Sequence, residues 1–302
     1  MRRLTIRIPQ DRAPNASDNS HGLYYLIRYP AGEIQVRLTK LGLKACERKD
    51  AYEIICNPIP DIVELAQLKD ALDAVGHSGQ NGDSWYERSL FLPYMPYARA
   101  DRRFVPGDSF GLKVWSELVS SLGFSSIWTF DAHSPVAQRL FARYAKVAGW
   151  GLANMLPTDS PIDQLLPVIR KIGRKGLLLV LPDQGSTNRY NLEKYSLYSV
   201  QGTKTRDAKT GQLSGFGVEQ GSRHRVENAT KALIIDDICD GGGTFIGLAE
   251  ALHKINPELE LYLYVSHGIF SKGRAELNKH FKAIFTSEYS FKTAHVLWKE
   301  SQ

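Results

Sequence analysis

Cysteine is scarce in this chain: 302 residues contain only three, Cys46, Cys56 and Cys239. An odd count with no C-x-x-C pair argues against a disulfide framework and against a structural zinc site. No apolar run reaches the length of a membrane-spanning helix, so no membrane partner is expected. The opening Met1-Arg2-Arg3-Leu4-Thr5-Ile6 is too short in its apolar part for a signal peptide, which sets the expectation of a cytoplasmic protein. No tail or helix gathers lysine and arginine either. The net charge of +6 is scattered along the chain. That pattern argues against nucleic acid as a partner and suits an enzyme that attracts small polyanions.

What the chain does contain is an ordinary globular composition, with 43% hydrophobic and 23% charged residues. Its length allows two domains, each with its own core. Short apolar runs read as strands at Tyr52–Cys56, Ser89–Tyr94, Ile127–Phe130, Leu177–Leu181, Ala232–Ile235 and Leu261–Val265. Between them lie segments of helical period. Leu112, Trp115, Leu118, Val119 and Leu122 share one face, and Phe245, Leu248, Ala249 and Leu252 share another. Such alternation predicts an α/β chain with parallel sheets flanked by helices. A boundary is expected near Gly149-Trp150-Gly151, giving domains 1–150 and 151–302. Two loops stand out: His77 to Asp83, and the long, polar, glycine-rich stretch Gln201 to Asn228, read as an active-site lid or a locally disordered segment.

Several predicted strands run into polar residues: Asn57, then Asp131 and His133, then Asp183, then Asp236 and Asp237. Ligands of open α/β sheets bind beyond the carboxyl ends of strands, so a series of such residues points to working sites. The strongest signal is Ala232-Leu233-Ile234-Ile235-Asp236-Asp237-Ile238-Cys239-Asp240-Gly241-Gly242-Gly243-Thr244, followed by a helix expected from Phe245 to Ile255 and capped by Thr244. A bare Gly-Gly-Gly is an ordinary turn. A buried strand, an acidic pair, a glycine turn and an amphipathic helix together make an anion site from backbone N–H groups and the positive helix end. Glycine lets phosphate approach the backbone. Asp236 and Asp237 add acceptors for a sugar diol. No Gly-Lys-Ser/Thr follows, so this is not a Walker loop.

The loop resembles the ribose-phosphate loop of phosphoribosyltransferases and of the pyrophosphokinases that share their fold. Nearly the whole chain is similar to the ribose-phosphate pyrophosphokinases. Leu92-Pro93-Tyr94-Met95-Pro96-Tyr97-Ala98-Arg99-Ala100-Asp101-Arg102-Arg103 resembles that family's nucleotide segment, and Phe130-Asp131-Ala132-His133 its metal-associated Asp-x-His. Leu181-Pro182-Asp183-Gln184-Gly185 resembles its Pro-Asp-x-Gly turn, and Ser266-His267-Gly268-Ile269-Phe270-Ser271 its late Thr-His-Gly segment. Arg28-Tyr29-Pro30-Ala31-Gly32-Glu33 is similar to the segment where the adenine of a neighbouring subunit's ATP is held.

The resemblance implies two phosphoribosyltransferase-like domains, ATP and ribose 5-phosphate as substrates, magnesium as cofactor and a homo-oligomer, hexamer or dimer. It assigns ATP to Tyr29, Gly32, Glu33, Arg99, Ala100, Asp101, Arg102 and His133, with metal at His133 and Asp183. It assigns ribose 5-phosphate to Arg206, Asp236, Asp237, Asp240, Gly241, Gly242, Gly243 and Thr244. Lys204 and Arg206 match a catalytic Lys-x-Arg that closes over the triphosphate, where two cations would offset developing charge. The chain departs from the family pattern at Tyr29, Ala31 and Ala100, all beside the expected base site. Two rival readings remain: a nucleobase phosphoribosyltransferase, and a non-catalytic regulatory relative.

Overall fold

The computed structural model describes residues 3–8, 22–46, 51–56, 61–76, 87–147, 154–157, 161–190, 192, 198–206, 213–288 and 290. Asn57, the 77–83 loop and the Gly149–Gly151 stretch lie outside these. The chain divides into two compact units, Met1–Thr158 and Asp159–Gln302.

In the first unit five strands, β1 (Arg3–Ile8), β4 (Ala51–Cys56), β5 (Glu87–Leu92), β6 (Ser126–Thr129) and β7 (Asn154–Pro157), form one all-parallel sheet in that order. A separate antiparallel hairpin joins β2 (Tyr24–Arg28) to β3 (Ile34–Leu38). Parallel strands need helical crossovers. Helices α2 (Ile62–Gly76), α3 (Gly111–Ser121) and α4 (Val136–Val147) supply them, while the short α1 (Lys40–Cys46) follows β3. The core brings Ile54, Leu90, Leu92 and Ile127 from the sheet against Leu65, Leu68, Leu112, Trp115, Val119 and Phe141 from the helices. On α3 the expected apolar face holds at Leu112, Trp115 and Val119, but Leu118 is 44% exposed. The buried stripe runs through 112, 115, 116 and 119, so Leu118 falls outside its edge.

The second unit holds a six-stranded sheet in the order β10-β9-β8-β11-β12-β13. Its strands are β8 (Leu177–Leu181), β9 (Ser199–Arg206), β10 (Leu213–Val218), β11 (Lys231–Cys239), β12 (Glu260–Gly268) and β13 (Ala283–Thr286). All neighbours are parallel except β9 and β10. The helices are α5 (Pro161–Ile172), α6 (Gln184–Arg189), α7 (Arg223–Glu227), α8 (Gly243–Ile255) and α9 (Leu277–His280). Strand residues alternate between two apolar layers. Leu178, Val180, Ala232, Ile234 and Leu263 pack with Phe245, Leu248, Ala249 and Leu252 of α8. Leu179, Leu181, Leu233, Ile235 and Tyr264 pack with Ile162, Leu165 and Ile169 of α5. Both faces are covered, which is why these strands read as unbroken hydrophobic runs.

All six strands expected from the sequence are present, and the α/β class with parallel sheets flanked by helices holds. The Gln201–Asn228 stretch is not a loop throughout. Residues 201–206 and 213–218 pair as an antiparallel hairpin and α7 follows, while 207–212 lie outside the described residues. Glycines at 202, 215 and 217 and the polar residues between them hid the β-branched and aromatic residues Val200, Thr203, Thr205, Phe216 and Val218, which suit a strand pair.

Ile234 is fully buried between β8 and β12. Ile234→Ala should therefore destabilise the protein by about 2–5 kcal/mol, read as a lowered denaturation midpoint.

Candidate functional site

The strand order of the second unit turns at β8: the next strand in sequence, β9, lies on one side and β11 on the other. Such a switch point leaves a crevice at the carboxyl ends. Strand β11 pairs with β8 only through Ile234 but with β12 as far as Cys239. Its last residues thus project past β8. Asp236 and Asp237 belong to this projecting part of the strand, not to the loop after it.

Helix α6 fills the space beyond β8. Asp183 caps it, accepting from the Ser186 N–H at 3.1 Å, in the manner of an N-cap aspartate. One turn of helix turns Ser186 and Arg189 toward β11. The Ser186 hydroxyl donates to Asp236 Oδ1 at 2.7 Å, and Arg189 Nη1 is 2.8 Å from Asp237 Oδ1 and 3.8 Å from Asp236 Oδ1. Tyr190 donates its hydroxyl to the Asp236 carbonyl at 3.2 Å. Burial, and then the neighbouring charge of Asp237, push Asp236 up to about 7. The Arg189 guanidinium lies closer to Asp237 than to Asp236. Ser186, Arg189 and Tyr190 were not singled out in the sequence. They follow the Pro-Asp-x-Gly turn by a few residues, and only the helix brings them back to the acids.

Beyond Cys239 the chain turns through Asp240, Gly241 and Gly242 into α8. Gly242 is the residue before the helix and has φ +81, a left-handed conformation that favours glycine. The helix begins at Gly243, and no side chain caps it. Thr244 is therefore in the first turn and not the cap expected from the sequence, because the left-handed glycine starts the helix earlier. Gly243 and Thr244 place their N–H groups at the positive helix end, where anions bind. The Lys272 stem lies 3.5 Å from the point where a side chain on Gly241 would begin, so a cation passed over in the sequence flanks the turn.

The late Ser-His-Gly segment braces this turn. Ile269 and Phe270 both donate their N–H groups to the Cys239 carbonyl, at 2.8 and 3.1 Å. Phe270 has φ +47, and Arg274 covers its ring at 4.3 Å. Ser266 and His267 are buried. Burial, with Asp236 and Asp240 nearby, drives the Cys239 thiol up to about 12, which excludes it as a nucleophile.

In the first unit a second group of candidates gathers at the ends of neighbouring strands β5 and β6. Asp131 and His133 have φ +42 and +54, and the His133 N–H reaches the Asp131 carbonyl at 2.8 Å. Left-handed non-glycine residues cost about 1–3 kcal/mol each and cluster at working sites. Asp101 is buried next to them. Burial raises its carboxyl, but Arg102, Ser134 and His133 outweigh this and hold it below the usual range. The Asp101–His133 interaction thus joins two motifs 32 residues apart in the chain. Arg102 meets Asp101 at 3.0 Å and covers the Phe104 ring at 5.5 Å, and Arg103 donates to the Asp108 carbonyl. Arg99 is exposed and Ala100 passes its carbonyl to the Leu112 N–H at the start of α3. Tyr29, Gly32 and Glu33 belong to the tip of the β2–β3 hairpin. Pro30 and Ala31 form the turn, Gly32 closes it at φ +94, and the Tyr29 hydroxyl donates to Gln35 at 2.7 Å. Tyr29, Gly32 and Glu33 line an open groove with Arg28, Asp61 and Gln67.

Lys204 and Arg206 are on β9, with Lys204 directly across from Phe216 of β10. His133 belongs to the first unit and Asp183 to the second. No group of three or more metal-ligating side chains occurs among the described residues. Magnesium takes oxygen ligands, keeps waters, and is held by one or two carboxylates plus substrate phosphates. Asp131 in the first unit and Asp183 in the second are each a carboxylate of the kind such an ion takes.

Comparison with known proteins gives a consistent answer. The chain is 25% identical over 249 residues to the ribose-phosphate pyrophosphokinase of Pyrococcus abyssi, covering 82% of this chain and 77% of that one. With the ribose-phosphate pyrophosphokinase of Thermococcus kodakarensis it shares 28% over 258 residues, covering 82% and 79%. Over most of its length the chain is similar to ribose-phosphate pyrophosphokinases. The crystal structure of phosphoribosylpyrophosphate synthetase from Mycobacterium smegmatis covers 95% of this chain and 88% of its own, with TM-score 0.65 and 16% identity, and so has the same fold. No family model matches the chain. The resemblance to ribose-phosphate pyrophosphokinases read from the motifs therefore holds. Among the described residues no helix is long and apolar enough to cross a membrane.

The Asp236 proton has a measurable consequence. The folded chain holds it up to about 7, whereas an unfolded aspartate releases it near 4. Between these values the folded state binds more protons, so this group's contribution to stability is full below the lower value and is lost as pH rises through the upper. Asp236→Asn should flatten that fall, seen as a denaturation midpoint that changes less between pH 4 and 8 than in the wild type.

Proposed function

We propose that this protein is a ribose-phosphate diphosphokinase that transfers the β,γ-diphosphate of MgATP to the anomeric hydroxyl of ribose 5-phosphate, giving phosphoribosyl pyrophosphate and AMP. The observation that carries this reading is the acid pair of β11 followed by the glycine turn and α8, in a chain whose relatives bear that activity in their names.

The 5-phosphate is assigned to the turn Asp240-Gly241-Gly242-Gly243-Thr244, with Lys272 beside it. Asp237 and Asp236 take the ribose diol. Two adjacent carboxyl groups offer acceptors for two adjacent hydroxyls. Arg206 is assigned to the sugar phosphate as well, and Lys204 with Arg206 to the transferring group. ATP is assigned to Arg99, Asp101, Arg102 and His133, with Tyr29, Gly32 and Glu33 of the hairpin tip for the adenine of a neighbouring subunit in a dimer or hexamer. Ala100 contributes backbone at this segment, its side chain being too small to select a base. Guanidinium forks match phosphate oxygens.

In the reaction the anomeric oxygen forms a bond to the β-phosphorus and releases its proton. The bond between that phosphorus and the oxygen bridging to the α-phosphorus breaks, and AMP leaves with the bridging oxygen. Asp183 and His133 are assigned to magnesium, which would screen phosphate charge when bound. Positioning supplies much of the rate, through the acid pair and the phosphate turn. Lysine and arginine on β9 offset the charge that develops on the moving diphosphate.

A nucleobase phosphoribosyltransferase would give no shared reason for the Asp101–His133 cluster of the first unit. The regulatory relative keeps binding without turnover. AMP formation by the wild type separates these, and Lys204→Ala should cut it about 100–1,000-fold while leaving ribose 5-phosphate binding by calorimetry unchanged. Turnover near that of the wild type in this variant would remove Lys204 from the reaction.

A further inference from the structure

We propose that Phe216 is a positioning residue that sets the register of the β9–β10 hairpin, and with it the place of Lys204, by seating on Gly247 of the phosphate-loop helix. The proposal rests on the assignment of Lys204 to the moving diphosphate.

Strand β10 is poorly specified on its own terms. It is an edge strand, it pairs only with β9, its register shifts between Leu213 and Gly215, and glycines flank Phe216 on both sides. Glycine-rich edge strands hold their register weakly, and a slip of one residue would carry Phe216 to the other face of the sheet and put another residue across from Lys204. Something outside the ladder must fix it. Phe216 and Val218, two residues apart and so on one face, pack against the core layer that contains α8. A side chain added at Gly247 would collide with the Phe216 ring. The ring therefore occupies the notch that Gly247 leaves, one turn into the helix that opens at Gly243. Directly across the ladder from Phe216 is Lys204, while Thr203 pairs with Gly217 and Gly202 with Val218. One ring-on-glycine contact thus ties the strand bearing Lys204 to the helix whose N-terminus forms the phosphate site.

The contact makes an unusual forecast about Gly247. Alanine is the better helix former, so Gly247→Ala should not weaken α8 itself. It should instead expel the Phe216 ring. Phe216→Ala and Gly247→Ala should each lower kcat by roughly ten- to a hundredfold, the scale of a misplacement of about 1 Å, with the KM for ribose 5-phosphate unchanged. Phe216→Leu should restore part of the loss. The double variant Phe216→Ala/Gly247→Ala should be no worse than Phe216→Ala, since the ring that alanine would strike is gone. Wild-type kcat in Phe216→Ala, or losses in the two single variants that multiply in the double, would overturn the proposal. Lys204→Ala in the same assay separates this from the reading beneath it. Normal turnover there overturns both, whereas loss there with normal turnover in Phe216→Ala overturns the positioning role alone.

Discussion

Two carboxylates, Asp236 and Asp237, stand side by side on a strand that has outrun its neighbour β8. Like charges this close and this buried cannot both ionise without support. The structure answers with a short helix. Asp183 caps it, Ser186 donates to Asp236 and Arg189 lies against Asp237. Removing the arginine would leave a buried, uncompensated charge, a loss of about 3–5 kcal/mol. The length of β11, the stop of β8 and the start of α6 all meet at this pair. The glycine turn that follows inherits its position from the same strand end.

That turn is held from a second direction. The segment after β12 folds back so that Ile269 and Phe270 both reach the Cys239 carbonyl. A left-handed Phe270 under the Arg274 guanidinium makes the bend. The late Ser-His-Gly motif is thus a buttress for the glycine turn in this fold. Strain in the first unit follows the same rule. Tyr97, Asp131 and His133 are its left-handed non-glycine residues among those described, and all three belong to motifs matched to nucleotide or metal.

Much of this was legible in the letters. The six apolar runs were strands because burial on both faces leaves no need for polar alternation, and the pattern shows it directly. The acid pair and the glycine turn were legible because few other uses demand that combination. What stayed hidden has physical causes. Arg189 and Ser186 reach the acids only through one turn of helix, and no local spacing announces a contact 50 residues away. The hairpin at 199–218 hid behind glycine and polar residues, since its strands are anchored by Phe216 and Val218 and not by continuous apolar sequence. Thr244 looked like a cap because threonine favours that role. Gly242 took the position first by adopting a conformation that threonine reaches only with strain.

The central claim is that the chain moves a diphosphate and not a single phosphate. Phosphorus NMR of the protein with MgATP and ribose 5-phosphate tests it by the nucleotide that appears. The account predicts AMP, formed together with a new diphosphate ester on the sugar. ADP would make the protein an ordinary kinase, and absence of any new nucleotide with ribose 5-phosphate bound would make it a binding relative; either result contradicts the account.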